Sequence, residues 1–253
     1  MFHQPHNSMG NYHYNGIVYQ AYRWASHFHR SYELVYGMAG QTKIGANGQE
    51  LLLGEGEFYL IFPNTVHSLE SVDDSRFWVG VFSGDFIGRF AKAEEGQCYS
   101  PFRCEPEVER FLKGYLLFDG TPSLDMRIAC LNLVCDQCLK YGEKQEICYN
   151  PDLKNKLLLY FADHFKENVT LSEIAGELGY EYHYLSREFH RCFQMNFKTF
   201  LNLYRFEAAC ELLSETEKSL TEIAMESGFQ SLRSFNRLFK DFSGMAPHQY
   251  RRK

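Results

Sequence analysis

The sequence predicts a two-part α+β chain: an N-terminal β-barrel or jelly roll with trailing helices, then an all-α domain built on a repeat. Three observations carry this. Short apolar runs bounded by Gly, Asn or Asp (Glu33 to Met38, Leu51 to Leu53, Phe58 to Phe62, Phe77 to Phe82) fill the region from Ile17 to Phe82, the spacing of a small all-β domain. From Glu105 onward the apolar period lengthens to that of helices. Between Val169 and Tyr250 one pattern is written twice. With 253 residues, 45% of them hydrophobic, the chain can build two domains with cores of their own.

Taken in order, residues 1–15 are rich in His, Asn and Tyr and show no period, which suits a tail or an arm folded over another surface. Asn47-Gly48 signals a type I′ hairpin. Val108, Phe111, Leu112 and Tyr115 form one helical stripe, and Pro122 to Tyr141 forms a second helix with Ile128, Leu131, Val134 and Leu139 apolar. Gly142 to Tyr149 is polar and reads as a linker. Asn150-Pro151 then opens a helix whose buried face repeats every four residues at Leu153, Leu157, Phe161 and Phe165. The expected divisions are therefore 1–141, a linker at 142–150, and 151–253.

The repeat is the most informative stretch. Copy one has Thr170-x-x-Glu173, Ile174-Ala175, Gly179-Tyr180, then Leu185, Arg187, Phe189 and Met195. Copy two has Ser219-x-x-Glu222, Ile223-Ala224, Gly228-Phe229, then Phe235, Arg237, Phe239 and Met245. Gly179 and Gly228 are 49 residues apart, whereas Arg187 and Arg237 are 50 apart, so one residue has entered the turn or the start of the next helix. Each copy is a helix-turn-helix: a capping box opens the first helix, a glycine ends it, and an amphipathic second helix follows. Phe200 to Leu213, with Leu201, Ala208 and Leu212 at helical spacing, bridges the copies.

From about Asp152 to Arg251 this stretch resembles the DNA-binding domain of AraC/XylS-type transcriptional regulators. The resemblance lies in Arg205-x-x-Ala208-Ala209-x-x-Leu212-Leu213, in the run from Ile223-Ala224 to Gly228-Phe229, and in Arg237-x-Phe239-Lys240 leading to Gly244-Met245-x-Pro247-x-x-Tyr250-Arg251. It implies that the second helix of each unit enters the major groove of double-stranded promoter DNA. The outward positions that match are His183, Ser186 and Arg187 in unit one, and Leu232, Arg233, Asn236 and Arg237 in unit two. Arg can bond guanine bidentately and Asn adenine, so unit two has the richer reading set. Arg191, Lys240 and the amides at the starts of the capped helices would hold phosphates.

In the β region, His27-x-His29-x-x-x-Glu33, Gly40, Gly56 and Pro63-Asn64-x-x-His67 are similar to the two motifs of the cupin barrel. Ala21 and Thr65 stand where those motifs carry glycine. The similarity implies that His27, His29, Glu33 and His67 converge, and such a set suits zinc, iron or manganese. The same residues can instead serve an organic effector, a carbohydrate or related metabolite, or be histidines satisfied within the sheet. No cofactor is required for a regulator. Trp24, Trp78, Tyr36 and Phe62 are candidates for aromatic walls of the pocket.

Charge and cysteines bound the rest. Residues 1–151 carry 12 basic and 18 acidic residues, and 152–253 carry 14 of each, so positive charge must be local: Arg187, Arg191, Arg233, Arg237, Lys240 and the tail Arg251, Arg252 and Lys253. No apolar run approaches the length of a membrane span, and no export signal is expected at the start, which points to the cytoplasm. The eight cysteines, including Cys135-x-x-Cys138, read as reduced and mostly buried thiols. The expected function is a ligand-responsive transcription factor, an activator, whose partners are DNA, a small-molecule effector, RNA polymerase and a second copy paired through residues 105–141. The alternative is a cupin metalloenzyme, an isomerase or dioxygenase, with an accessory helical domain.

Overall fold

The computed structural model describes residues 12–117, 122–147 and 149–251. Most of the expected N-terminal arm lies outside these residues, as do Cys148, Arg252 and Lys253. The chain divides into two compact units at Ile147.

The N-terminal unit contains strands β1 (Tyr14–Gln20), β2 (Arg23–His27), β3 (Tyr32–Ala46), β4 (Gln49–Leu53), β5 (Phe58–Ile61) and β6 (His67–Phe82). All pairings are antiparallel. β3 and β6 pair at the centre, β1 and β2 follow one another along the outer edge of β6, and β4 and β5 do the same along β3. Two of the apolar runs, Glu33 to Met38 and Phe77 to Phe82, are thus pieces of two long strands of 15 and 16 residues, and the other two fall in β4 and β5. Beyond its apolar run β3 alternates, with Thr42, Ile44 and Ala46 buried between more exposed neighbours, which is how a half-covered strand reads. The β3–β6 register shifts between Gly37 and Gln41, and there the sheet folds over. Val35, Phe77 and Val79 from one half share a core with Ile44, Leu53 and Leu69 from the other.

The outer face of the first half carries Tyr32, Leu34, Tyr36, Trp78 and Phe82, and helices cover it. These are α1 (Gly88–Ala93), α2 (Pro106–Leu112) with a wide π-turn at Lys113–Leu117, and α3 (Leu124–Tyr141), capped by the Ser123 hydroxyl accepting from the Met126 amide. The wide turn carries Tyr115 off the buried stripe expected of it, leaving it 47% exposed, while Leu116 and Leu117 go in. Leu139 is 50% exposed, because the buried stripe of α3 runs through Leu131, Val134, Cys135 and Cys138. The linker also begins later than expected. The Ser100 amide donates to the Glu143 carbonyl at 2.9 Å and the Gln145 amide to the Cys98 carbonyl at 3.0 Å, so 143–145 is docked on the N-terminal unit.

The C-terminal unit consists of α4 (Pro151–His164), α5 (Leu171–Leu178), α6 (Tyr182–Phe193), α7 (Phe197–Glu215), α8 (Leu220–Glu226), α9 (Leu232–Ser243) and α10 (Pro247–Arg251). Asn150 caps α4, with Pro151 at its first position, and Leu153, Leu157 and Phe161 are fully buried. Both capping boxes form, at Thr170/Glu173 and Ser219/Glu222. The Tyr180 amide bonds the Ala175 carbonyl at 2.8 Å and the Phe229 amide bonds the Ala224 carbonyl at 2.9 Å, so the two units turn alike to that point. Unit two then takes one more residue, Gln230, before its N-cap Ser231, whereas Glu181 directly follows Tyr180. The inserted residue is therefore in the turn.

Each unit has an aromatic core, and α7 runs through both. Phe200 lies 4.1 Å from Phe193 and 4.9 Å from Phe161 (ring centroids), and Phe206 lies 4.8 Å from Phe239. Between these contacts the buried Arg205 donates from Nε to the Phe165 carbonyl at 2.8 Å and from Nη2 to the Glu167 carbonyl at 2.7 Å. Among the described residues no helix is long and apolar enough to cross a membrane, and the cysteines are free and buried.

Gly179 and Gly228 both have left-handed backbone, φ +73° and +81°. A Cβ on Gly179 would meet nothing within 4 Å, while one on Gly228 would lie 2.7 Å from Lys166 Cα and 2.9 Å from the Phe165 carbonyl oxygen. Urea unfolding followed by helical circular dichroism should therefore show Gly179→Ala costing about 1 kcal/mol and Gly228→Ala roughly 3 kcal/mol or more. Equal losses would contradict the close approach at Gly228.

Candidate functional site

The second helices, α6 and α9, are amphipathic because their apolar residues recur at three and four. Leu185, Phe189 and Phe193 are buried on α6, and Phe235 and Phe239 on α9. On α9 this leaves Arg233, Asn236, Arg237 and Lys240 exposed on one face. The side chains of Arg233, Arg237 and Lys240 form no hydrogen bond or ion pair among the described residues. On α6, His183 and Arg187 are exposed and Ser186 is half-buried, with Arg187 over the Tyr184 ring at 5.9 Å.

Three expectations need correction. Leu232 is not an outward reader: it is half-buried against the unit-two core, since a leucine at the first helical turn finds Phe235 and its neighbours nearer than solvent. Arg191 is not free for phosphate, because it donates to the buried Glu188 carboxylate one turn back at 2.5 Å. The starts of α5 and α8 are not open amide sites. The Thr170 and Ser219 side chains take the amides of Glu173 and Glu222, and the returning carboxylates are held below the usual range by the Thr170 and Ser219 hydroxyls and amides. The structure adds residues that the repeat did not signal. A cleft of about 680 Å³ lies between α5, α6 and α7, lined in part by Ser172, Tyr182, His190, Lys198 and Asn202. Lys198 and Asn202 lie on the bridging helix, outside the repeated pattern.

The second site lies in the sheet. His27 ends β2, Glu33 lies in β3 and His67 begins β6. His29 lies off the strands, in the turn between β2 and β3, where its carbonyl accepts the Asn64 amide at 2.8 Å. The four converge, with one ligand atom from each within 4.8 Å of the others. Ala21, at the position of a motif glycine, has φ +48°, so the alanine holds the left-handed backbone that a glycine would take more easily. Trp24 flanks the cluster, its ring 5.7 Å from His27. Trp78 does not. It pairs with Val18 and Tyr36 on the helix-covered face, one residue out of phase with the inner-facing Phe77 and Val79. Tyr36 and Phe62 belong to that outer core as well.

The hydrogen bonds fix the chemistry of the cluster. His29 Nδ1 lies 3.0 Å from the Ser31 carbonyl and His67 Nδ1 lies 2.8 Å from the Thr65 carbonyl; a carbonyl only accepts, so each Nδ1 carries the proton. Both Nε2 atoms then face Glu33, His29 at 3.0 Å and His67 at 3.5 Å. In neutral imidazoles those atoms would aim lone pairs at carboxylate oxygens. Burial alone would raise the Glu33 carboxyl, but the charge of His67 and the hydrogen bond from His29 outweigh it and hold the carboxyl well below the usual range. The arrangement needs positive charge at its centre. His67 Nε2 and Glu33 Oε1 are buried, and their 3.5 Å contact with one another is too long for a good hydrogen bond.

Comparison with known proteins finds two family models, one in each compact unit. An "AraC-like ligand binding domain" matches residues 16–121 and a "Helix-turn-helix domain" matches 160–253. An uncharacterised HTH-type transcriptional regulator of Staphylococcus aureus is 38% identical over 111 residues, 44% of this chain and 15% of that protein. The melibiose operon regulatory protein of Escherichia coli is 30% identical over 98 residues, 39% of this chain and 32% of that protein. The chain thus spans less than a third of the length of either relative. ToxT from Vibrio cholerae has a similar fold, with a TM-score of 0.63 at 18% identity, covering 96% of this chain and 98% of that one.

Proposed function

We propose that the chain is a transcriptional regulator of the AraC type that binds promoter DNA sequence-specifically and activates transcription in response to a small molecule held in the barrel. The carrying observation is the outer face of α9, where Arg233, Asn236, Arg237 and Lys240 stand exposed on a rigid helix. Base-edge contacts by Arg and Asn supply specificity, and Lys240 supplies attraction to phosphate. RNA polymerase is the proposed partner of the bound regulator and the cytoplasm its compartment. A second copy would pair through α3 and its neighbours, where Tyr115, Leu124, Leu139 and Tyr141 leave apolar surface uncovered. The His27, His29, Glu33 and His67 cluster is read as an effector anchor rather than a catalytic centre, because two helix-turn-helix units have no use in an isomerase or dioxygenase. A carbohydrate or related metabolite is the proposed effector class, as the name of the melibiose operon regulator also suggests.

The cluster also fits a divalent ion. Three imidazoles and a carboxylate are a common donor set, the Nδ1 protons of His29 and His67 are already committed to carbonyls, and their Nε2 atoms face Glu33. An ion held by these four residues would supply a Lewis-acidic anchor for an effector oxygen.

Titrations on preferred and scrambled duplexes at two salt concentrations test the DNA reading. Arg233→Ala and Arg237→Ala should each cost roughly 1–3 kcal/mol at the preferred site and relax sequence choice. Lys240→Ala should weaken all sequences alike and lower the salt slope by about one. Arg191→Ala should change little, its charge being spent on Glu188. An unchanged ratio of preferred to scrambled affinity in both arginine variants would contradict the assignment.

Fluorescence tests the ion, since the chain has two tryptophans and only Trp24 flanks the cluster. Titrating Mn²⁺ into chelator-treated protein should quench emission in Trp78→Phe and not in Trp24→Phe, and Glu33→Gln should weaken the response. No quenching, together with no metal in protein purified without chelator, would reject it.

A further inference from the structure

The two reading helices share a scaffold and differ in charge at the tip. Aligned on their common turn, the N-cap of α6 is Glu181 and the N-cap of α9 is Ser231. Each caps in the same way: Glu181 Oε2 accepts the Tyr184 amide at 2.9 Å, and Ser231 Oγ accepts the Ser234 amide at 3.2 Å. A serine would have sufficed in unit one, so capping alone does not explain a carboxylate there. Glu181 is exposed, and the amides of His183 and Tyr184, followed by the charges of His183 and Arg187, hold its carboxyl below the ordinary range. Next to it Tyr182 is 46% exposed, where the matching Leu232 of unit two is turned onto its core. The leading end of α6 therefore presents an ionised carboxylate beside a phenol ring, and that of α9 presents Arg233 beside a neutral cap.

Resting on the DNA-binding reading above, we infer that Glu181 is a specificity-determining residue of unit one, selecting a base with an exocyclic amino group. The N-terminal end of a recognition helix is the part that meets base edges. A carboxylate can only accept hydrogen bonds. In the major groove cytosine offers its N4 amino group and adenine its N6, whereas guanine offers N7 and O6 and thymine offers O4, all acceptors. Glu181 thus favours cytosine first, tolerates adenine, and is repelled by guanine and thymine at the pair it faces. Close to any phosphate it is repulsive too, so it lowers binding to every sequence while sharpening choice at one position. Unit two works by attraction through Arg233 and Arg237, and unit one by exclusion through Glu181.

The test is selection from randomised duplexes by the full chain and by Glu181→Ser, which copies the cap that unit two already uses. The wild type should enrich a site with one column, under α6, restricted to C or A. In Glu181→Ser that column should admit G and T, with roughly a tenfold loss of preference, and affinity for scrambled duplex should stay equal or rise. Columns unchanged by Glu181→Ser would overturn the inference. So would loss of scrambled binding along with specific binding, which would leave Glu181 a structural cap only. A wild type that enriches no site at all would instead defeat the DNA-binding reading, and this inference with it.

Discussion

The C-terminal unit depends on one buried cation. Arg205 sits midway along α7 and gives two hydrogen bonds to carbonyls just past the end of α4, that of its C-cap Phe165 and that of Glu167. Hydrogen bonds from a charged donor are worth roughly 1.5–3 kcal/mol each, and the helix end is where a cation is most favourable. Gly228 lies against the same carbonyl and the same guanidinium, so the turn of unit two is seated on the joint that ties α4 to α7. Arg205 lies between Phe200, in the first aromatic core, and Phe206, in the second. Arg205 thus anchors α7 to the end of α4, while α7, packed into both aromatic cores, joins the two units and with them α6 and α9.

On that common frame the two units have diverged. Among the described residues the cationic side chains of α9 have no ion-pair partner. α6 ties Arg191 to Glu188, lays Arg187 over Tyr184 and opens with Glu181. Net charge does not show this, since the C-terminal stretch balances fourteen basic against fourteen acidic residues. Several of the acids are spent locally: Glu173 and Glu222 in capping boxes, Glu188 on Arg191. What remains for a partner is a positive face on unit two.

The repeat made most of the C-terminal unit legible, because capping boxes, glycine turns and inward Phe positions are local signals. Leu232 was misread because it matches a reading position, and only packing shows that the core claims it. Lys198 and Asn202 carried no signal, since they sit outside the repeated pattern. In the N-terminal unit the cupin-like motifs located His27, His29, Glu33 and His67, but not the fold-over that unites them: a bend between Gly37 and Gln41 in strands that run well past their apolar stretches. Trp78 was misassigned because composition gives no phase. Its place on the outer face follows from its register with Tyr36, a long-range pairing no local window contains.

The claim that most rests on this geometry is that α6 and α9 are held rigidly and engage DNA together. Two such helices meet successive major grooves on one face of the duplex, about ten base pairs apart. The direct measurement is affinity for the selected site against the same site with five base pairs inserted between its two contacted segments. A half-turn insertion rotates one segment to the far side of the duplex. The account predicts that affinity falls to that of scrambled DNA; affinity retained within a factor of about two would show that the units bind independently and that the Arg205 joint does not fix them.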